Sequence, residues 1–232
     1  IQMFRELGYF GENQALEELL NIDRSKRNLF LFPSVYWDVG MSESGQLFKD
    51  IITWVLQTIE ILKDRDDVHL YIKPHPAEKY DSSSSLKGIE DYIYERYPQL
   101  PRNITLIPPE LKVKPYSLFP YIDLGIVYNG TLGLEMMFHN IPVVITGKAP
   151  YGRLGLAHEP HTIGEYERIL LGKEPPVIPD KDELELFAYF YLLKMNLPWN
   201  LTKRAYADDF RGYTFDSLED LLPGKNEYLD HL

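Results

Sequence analysis

The sequence predicts an α/β protein built on a doubly wound parallel sheet and followed by a C-terminal helical extension. Two observations carry this expectation. From Asn28 onward, apolar strand-like runs alternate with amphipathic helical ones, as in parallel strands covered by helices. One of those runs, Leu124-Gly125-Ile126-Val127-Tyr128, reads as a central strand buried on both faces.

The elements follow in order. Residues 1–27 read as an N-terminal helix and linker, with the helix over 4–20. Leu29 to Pro33 makes the first strand, and a loop through Trp37-Asp38 and Gly40 leads to a helix over 46–63. That helix shows Leu47, Ile51, Trp54, Val55, Ile59 and Leu62 on one apolar face and ends in the charged turn Lys63 to Asp67. The second strand, Val68 to Ile72, runs into Lys73-Pro74-His75-Pro76, whose prolines oppose helix and predict an extended loop. Ser82 to Ser85 opens a helix ending near Tyr97. Ile104 to Ile107 is the third strand, a short helix covers 116–121, and Leu124 to Tyr128 is the fourth strand. Asn129-Gly130-Thr131 turns into a helix over 131–139, and Ile141 to Ile145 returns as the fifth strand. Right-handed crossovers arrange these as one Rossmann-like sheet over 28–175. The remainder, 176–232, reads as the helical extension, with a helix from Asp180 to Asn196.

Composition narrows the function. At 232 residues, with 44% hydrophobic and 25% charged, the chain is long enough for one well-buried main domain. A net charge of −11 opposes nucleic-acid binding, which requires clustered cations. The absence of Cys removes disulfides, thiolate metal sites and Cys nucleophiles, and makes the cytoplasm the default location. No apolar stretch approaches the roughly 20 residues of a membrane span, so any membrane association is expected to be peripheral. The sequons at Asn103, Asn129 and Asn200 are read as chance. A start on Ile1, with a helix-like run already under way, suggests a piece of a longer protein.

Ligands of open parallel sheets bind beyond the carboxyl ends of the strands, which directs attention to the loops after Phe32, Ile72, Ile107, Tyr128 and Ile145. In Lys73-Pro74-His75-Pro76 a stiff backbone holds a cation and an imidazole at the sheet's mouth, a pair suited to a phosphate or a leaving group. In Asn129-Gly130-Thr131-Leu132-Gly133-Leu134-Glu135, small residues let an anion approach a helix start. Glu135, one turn after Thr131, is placed to accept hydrogen bonds from vicinal hydroxyls such as those of a ribose. Arg153, between Gly152 and Gly155, suits a phosphate or a sugar carboxylate, or equally an exposed loop.

These residues resemble a known group. Phe32-Pro33-Ser34-Val35-Tyr36-Trp37-Asp38, Ile72-Lys73-Pro74-His75-Pro76, and Gly130-Thr131-Leu132-Gly133-Leu134-Glu135 continuing into Asn140-Ile141-Pro142-Val143-Val144 are similar to bacterial capsule polysaccharide biosynthesis proteins. More distantly they resemble sialyl- and Kdo-transferases of GT-B type. The looser Tyr151-Gly152-Arg153 and Glu165-Tyr166 extend the likeness, which covers roughly 28–171. The resemblance implies the donor-binding C-terminal half of a metal-independent glycosyltransferase acting on a nucleotide-activated sugar and a glycan acceptor, without a cofactor. It further implies that His75 meets the donor phosphate and the departing nucleotide, with Lys73 adding charge. Gly130 and Thr131 would bind phosphate and Glu135 the ribose. The family's Ser or Thr pair stands here as Gly130-Thr131, and the acidic base of an N-terminal domain has no counterpart in this sequence.

Other motifs carry less. Asp64-x-Asp66 and Asp180-x-Asp182 are read as solvated turn and helix cap rather than as metal ligands. His158-Glu159-Pro160-His161 lacks zinc spacing, and no Gly-x-Gly-x-x-Gly or Walker sequence is present. A nucleotide-sugar 2-epimerase, a CDP-glycerol-type phosphotransferase and a non-catalytic nucleotide-binding module remain as alternative readings.

Overall fold

The computed structural model describes residues 13–35, 47–80, 87–109, 111, 113–194, 202–204, 210–213 and 217–225. Trp37-Asp38, Ser82 to Ser85 and Trp199 lie outside them. The chain divides into two compact units, residues 1–184 and 185–232.

The first unit is a five-stranded sheet of β1 (Arg27–Phe32), β2 (Val68–Ile72), β3 (Ile104–Leu106), β4 (Leu124–Val127) and β5 (Val143–Ile145). The strands lie in the order β3-β2-β1-β4-β5, and every pairing is parallel. This is the Rossmann-like winding, which reverses direction between β1 and β4. Every residue of β2, β4 and β5 is buried, so the apolar runs had no polar face to alternate with. His158 adds a parallel bridge to Val144 beyond β5, through its N–H to the Val143 carbonyl and its carbonyl to the Ile145 N–H.

In order along the chain, the helices of this unit are α1 (Asn13–Leu20), α2 (Ile51–Leu62), α3 (Ala77–Tyr80), α4 (Ile89–Arg96), α5 (Pro115–Leu118), α6 (Leu132–Phe138) and α7 (Ile163–Leu170). Helix α2 begins later than its apolar pattern suggested, because Asp50 caps it by accepting from the Thr53 N–H at 2.6 Å. Thr162 and Glu165 form a capping box that starts α7. One face of the sheet packs Leu29, Leu31, Leu70, Ile72 and Ile126 against α2, α4 and α7 in a continuous apolar core. Within that core, the fully buried Tyr166 hydroxyl accepts from Trp54 Nε1 at 3.0 Å and meets Thr58 Oγ1 at 2.7 Å. On β4, a Cβ at Gly125 would lie 2.5 Å from the Met136 side chain, so the missing side chain is what lets α6 press onto the strand.

Helix α8 (Lys181–Tyr189) carries the chain into the second unit, where a π-helical turn spans Phe190–Lys194. The extension read as helical also contains an antiparallel pair, β6 (Thr202–Arg204) with β7 (Phe210–Tyr213). Neither strand is long enough to show an alternating pattern in sequence. Among the described residues, no helix is long and apolar enough to cross a membrane.

Candidate functional site

The carboxyl edge of the sheet gathers all five loops marked by the sequence. Their backbones are stitched side by side: Lys73 N–H to the Leu31 carbonyl at 2.9 Å, Ile107 N–H to Ile72 at 2.8 Å, and Gly147 N–H to Tyr128 at 2.8 Å. Where the winding reverses, the Ser34 hydroxyl lies 2.9 Å from the Asn129 side-chain oxygen, tying the loop after β1 to the loop after β4. Three strand spacings separate β2 from β5, about 14 Å of edge in all.

His75 sits exposed on the loop after β2. The two prolines do not keep this loop fully extended: the chain turns into α3, with the Glu78 N–H donating to the His75 carbonyl at 3.1 Å. The same turn brings the Ala77 N–H to His75 Nδ1 at 3.1 Å. A nitrogen that accepts carries no proton, so this contact favours the tautomer with the proton on Nε2 when the ring is neutral.

Lys73 departs from expectation. Its side chain is 4% exposed rather than projecting from the mouth of the sheet, and Nζ has no hydrogen-bond partner among the described residues. Burial holds its pKa below the ordinary lysine value, because the ammonium loses solvation on leaving water.

On the other side of the reversal, Thr131 is exposed and helical in backbone, and its hydroxyl makes no capping bond. The helix therefore starts one residue later than predicted, at Leu132, and has only seven residues. It offers backbone donors rather than a strong macrodipole. Gly130 has open space where a Cβ would stand. Its carbonyl accepts from the buried Tyr151 hydroxyl at 2.6 Å, and Tyr151 fits there because Gly133 has no side chain. Half-buried Glu135 lies beside Tyr116, and its carboxylate raises the pKa of the Tyr116 hydroxyl.

Arg153 lies apart from His75, in a cavity beyond β5 that it shares with Thr146, Lys148, Glu159 and His161. The structure thus brings Gly130, Thr131 and Glu135 together on one helix start, places Lys73 and His75 on the loop two strands away, and sets Arg153 in a separate hollow. His158 serves structure: its Nε2 accepts from the Val177 N–H at 3.1 Å, and burial lowers its pKa. Among the described residues no three His, Asp or Glu side chains gather to hold a metal. Ser34, Asn129, Tyr151 and Glu159 were not singled out as site residues by sequence reasoning. All four stood within quoted motifs, which was the available signal.

A profile of the capsule polysaccharide biosynthesis protein family matches residues 2–175. The chain belongs to that family. Among solved structures, this capsule-biosynthesis chain is similar to the KpsC beta Kdo 2,4 transferase of Thermosulfurimonas dismutans, at 17% identity over 80% of this chain and 58% of that one, with a TM-score of 0.45. It is also similar to the wall teichoic acid polymerase TagF, at 13% identity over 76% of this chain and 41% of that one, TM-score 0.44. A third likeness is to a putative UDP-N-acetylglucosamine 2-epimerase from Listeria monocytogenes, at 15% identity over 75% of this chain and 47% of that one, TM-score 0.44. The chain therefore spans less than two thirds of the length of each of these three proteins. No curated protein gives a significant match.

Proposed function

We propose that this chain is the donor-binding half of a GT-B-type glycosyltransferase that uses a nucleotide-activated sugar in surface polysaccharide synthesis. The observation that carries the reading is the His75 ring at the sheet edge, whose Nδ1 accepts the Ala77 N–H at 3.1 Å and so favours a proton on Nε2. A neutral donor in that place meets charge as it develops on a departing phosphate, where a preorganised hydrogen bond contributes most.

The other groups fit the same ligand. Lys73, buried two residues before His75, would have the cost of burying its ammonium offset by a bound anion. Gly130 leaves its turn open to a phosphate, and the Thr131 hydroxyl, uncommitted to a cap, donates to it. Glu135, oriented by Tyr116, receives the ribose hydroxyls. Positioning and leaving-group stabilisation supply the catalysis, without a metal. In the family the sequence resembles, the glycan acceptor and the general base belong to an N-terminal domain, and we assign them there.

Calorimetric titration of CMP, CDP, UDP and GDP into the wild type, His75→Ala and Glu135→Ala tests this. One nucleotide is expected to saturate, with each substitution weakening it about tenfold, or roughly 1.4 kcal/mol. Failure of every nucleotide to bind the folded protein, or equal binding by all three proteins, rejects the reading.

A further inference from the structure

The loop that carries His75 is held from outside itself. Helix α3 is a single turn, Ala77–Tyr80, and the first turn of a helix costs more in fixed dihedrals than its own hydrogen bond returns. Such a turn persists only where tertiary contacts secure it. Yet this one supplies two bonds that set His75: the Ala77 N–H on Nδ1 and the Glu78 N–H on the His75 carbonyl, each at 3.1 Å.

Glu78 connects that turn to the core. Its side chain is buried, and Oε2 accepts the Ile89 N–H at 2.9 Å. Ile89 opens α4, whose first N–H groups have no partner inside the helix. The residue at the N-cap is Gly88, which has no side chain to cap with, so a carboxylate from α3 takes that part. Gly88 also keeps the place open, since a Cβ on it would stand 3.1 Å from Oε2, closer than ordinary contact. Helix α4 is fixed in turn, because Ile89 and Ile93 lie in the apolar core with Trp54 and Val55 of α2. Burying a carboxylate is costly, and what this one secures is a one-turn helix whose next hydrogen bonds end on His75.

We infer that Glu78 is a positioning residue for His75: by tying α3 to the start of α4 it holds the Ala77 N–H on the ring and keeps the imidazole in one orientation before any ligand arrives. Catalytic groups work best when neighbours have already ordered them, so that no reorganisation is left for the reaction step. What His75 then does rests on the donor-binding reading above, whereas the tether itself is testable without a nucleotide.

NMR of the whole chain reads the tether through the coupling between the Ala77 amide nitrogen and His75 Nδ1 across their hydrogen bond. Wild type, Glu78→Gln, Glu78→Asp and Glu78→Ala are compared. Gln keeps an oxygen at the same reach, Asp keeps the charge on too short a side chain, and Ala keeps neither. The coupling and the His75 ring resonances are expected to persist in Glu78→Gln. Both should change in Glu78→Asp and Glu78→Ala, with the coupling lost and the ring moving to the positions of an unrestrained histidine. His69, buried on β2, is the internal control, because its ring signals stay in place wherever the sheet is folded. Should Glu78→Ala disturb His69, Glu78→Asp decides. No coupling in the wild type, an intact coupling in a folded Glu78→Asp or Glu78→Ala, or its equal loss in Glu78→Gln overturns the inference. If a nucleotide binds as proposed, Glu78→Asp should weaken it several-fold, short of the roughly tenfold loss expected for His75→Ala. If none binds, the donor reading falls and the coupling still decides the tether.

Discussion

Ser34 and Asn129 meet at the point where the sheet reverses its winding, hydroxyl to amide oxygen at 2.9 Å. Each sits just past the end of its strand, β1 or β4, so one hydrogen bond spans the crevice in which open α/β sheets hold ligands. It fixes the spacing of two loops rather than the stability of the sheet, whose strands are joined by their own ladder. Ser34→Ala is therefore expected to weaken nucleotide binding several-fold, about 1 kcal/mol, with the urea midpoint unchanged. Calorimetry beside a denaturation curve checks both halves.

The two glycines of the turn before and within α6 should respond in opposite ways. A Cβ at Gly133 would stand 2.1 Å from the Tyr151 hydroxyl, so Gly133→Ala must push Tyr151 off the Gly130 carbonyl. A loss of about 1–3 kcal/mol in stability is expected, together with weaker nucleotide binding. Gly130 faces open space with φ outside the left-handed region, so Gly130→Ser should fold with a change within about 0.5 kcal/mol. Thermal melts of the two variants decide the matter.

Much of this was legible in the sequence. Buried parallel strands such as Leu29 to Phe32 and Leu124 to Val127 announce themselves as apolar runs, because neither face meets water. The loops at their carboxyl ends follow from topology, which is why His75, Gly130, Thr131 and Glu135 could be named. Tertiary facts were not legible. Nothing local shows that Lys73 turns inward, that Tyr151 reaches back to Gly130, or that Ser34 finds Asn129 across 95 residues. Helix starts moved for a local reason: at α2 the Asp50 cap outweighed the apolar periodicity that had included Leu47.

Tyr166 couples α7 to α2 through its hydroxyl. Tyr166→Phe leaves Thr58 still donating to the Trp54 carbonyl at 2.8 Å but strands the Trp54 indole N–H in the core. The expected loss is about 1–3 kcal/mol by urea unfolding, with nucleotide affinity unchanged, because the site lies on the loops and not in this core.

Acid should unfold the protein partly through His69. Its ring is buried, stacks on Tyr71 at 4.4 Å and meets Thr105 Oγ1 at 2.8 Å, and burial pulls its pKa down to about 4 from an ordinary 6.5. Between those values the unfolded chain takes up a proton that the folded one refuses, so stability is full above pH 6.5 and falls as pH drops toward 4. At pH 4.5 the loss is on the order of 2 kcal/mol. His69→Phe, which keeps the stack, should show a correspondingly smaller drop between pH 7 and pH 4.5 in urea titrations. An identical drop in both proteins would assign the acid sensitivity elsewhere.

The central claim is that His75 offers a fixed Nε2 donor to a nucleotide phosphate. Long-range proton–nitrogen NMR of the imidazoles reads this directly, before and after saturation with the nucleotide that binds. The free protein is expected to show the Nε2–H tautomer, and the His75 ring resonances are expected to shift on binding. A proton on Nδ1, or a His75 ring unmoved at saturation, would contradict it.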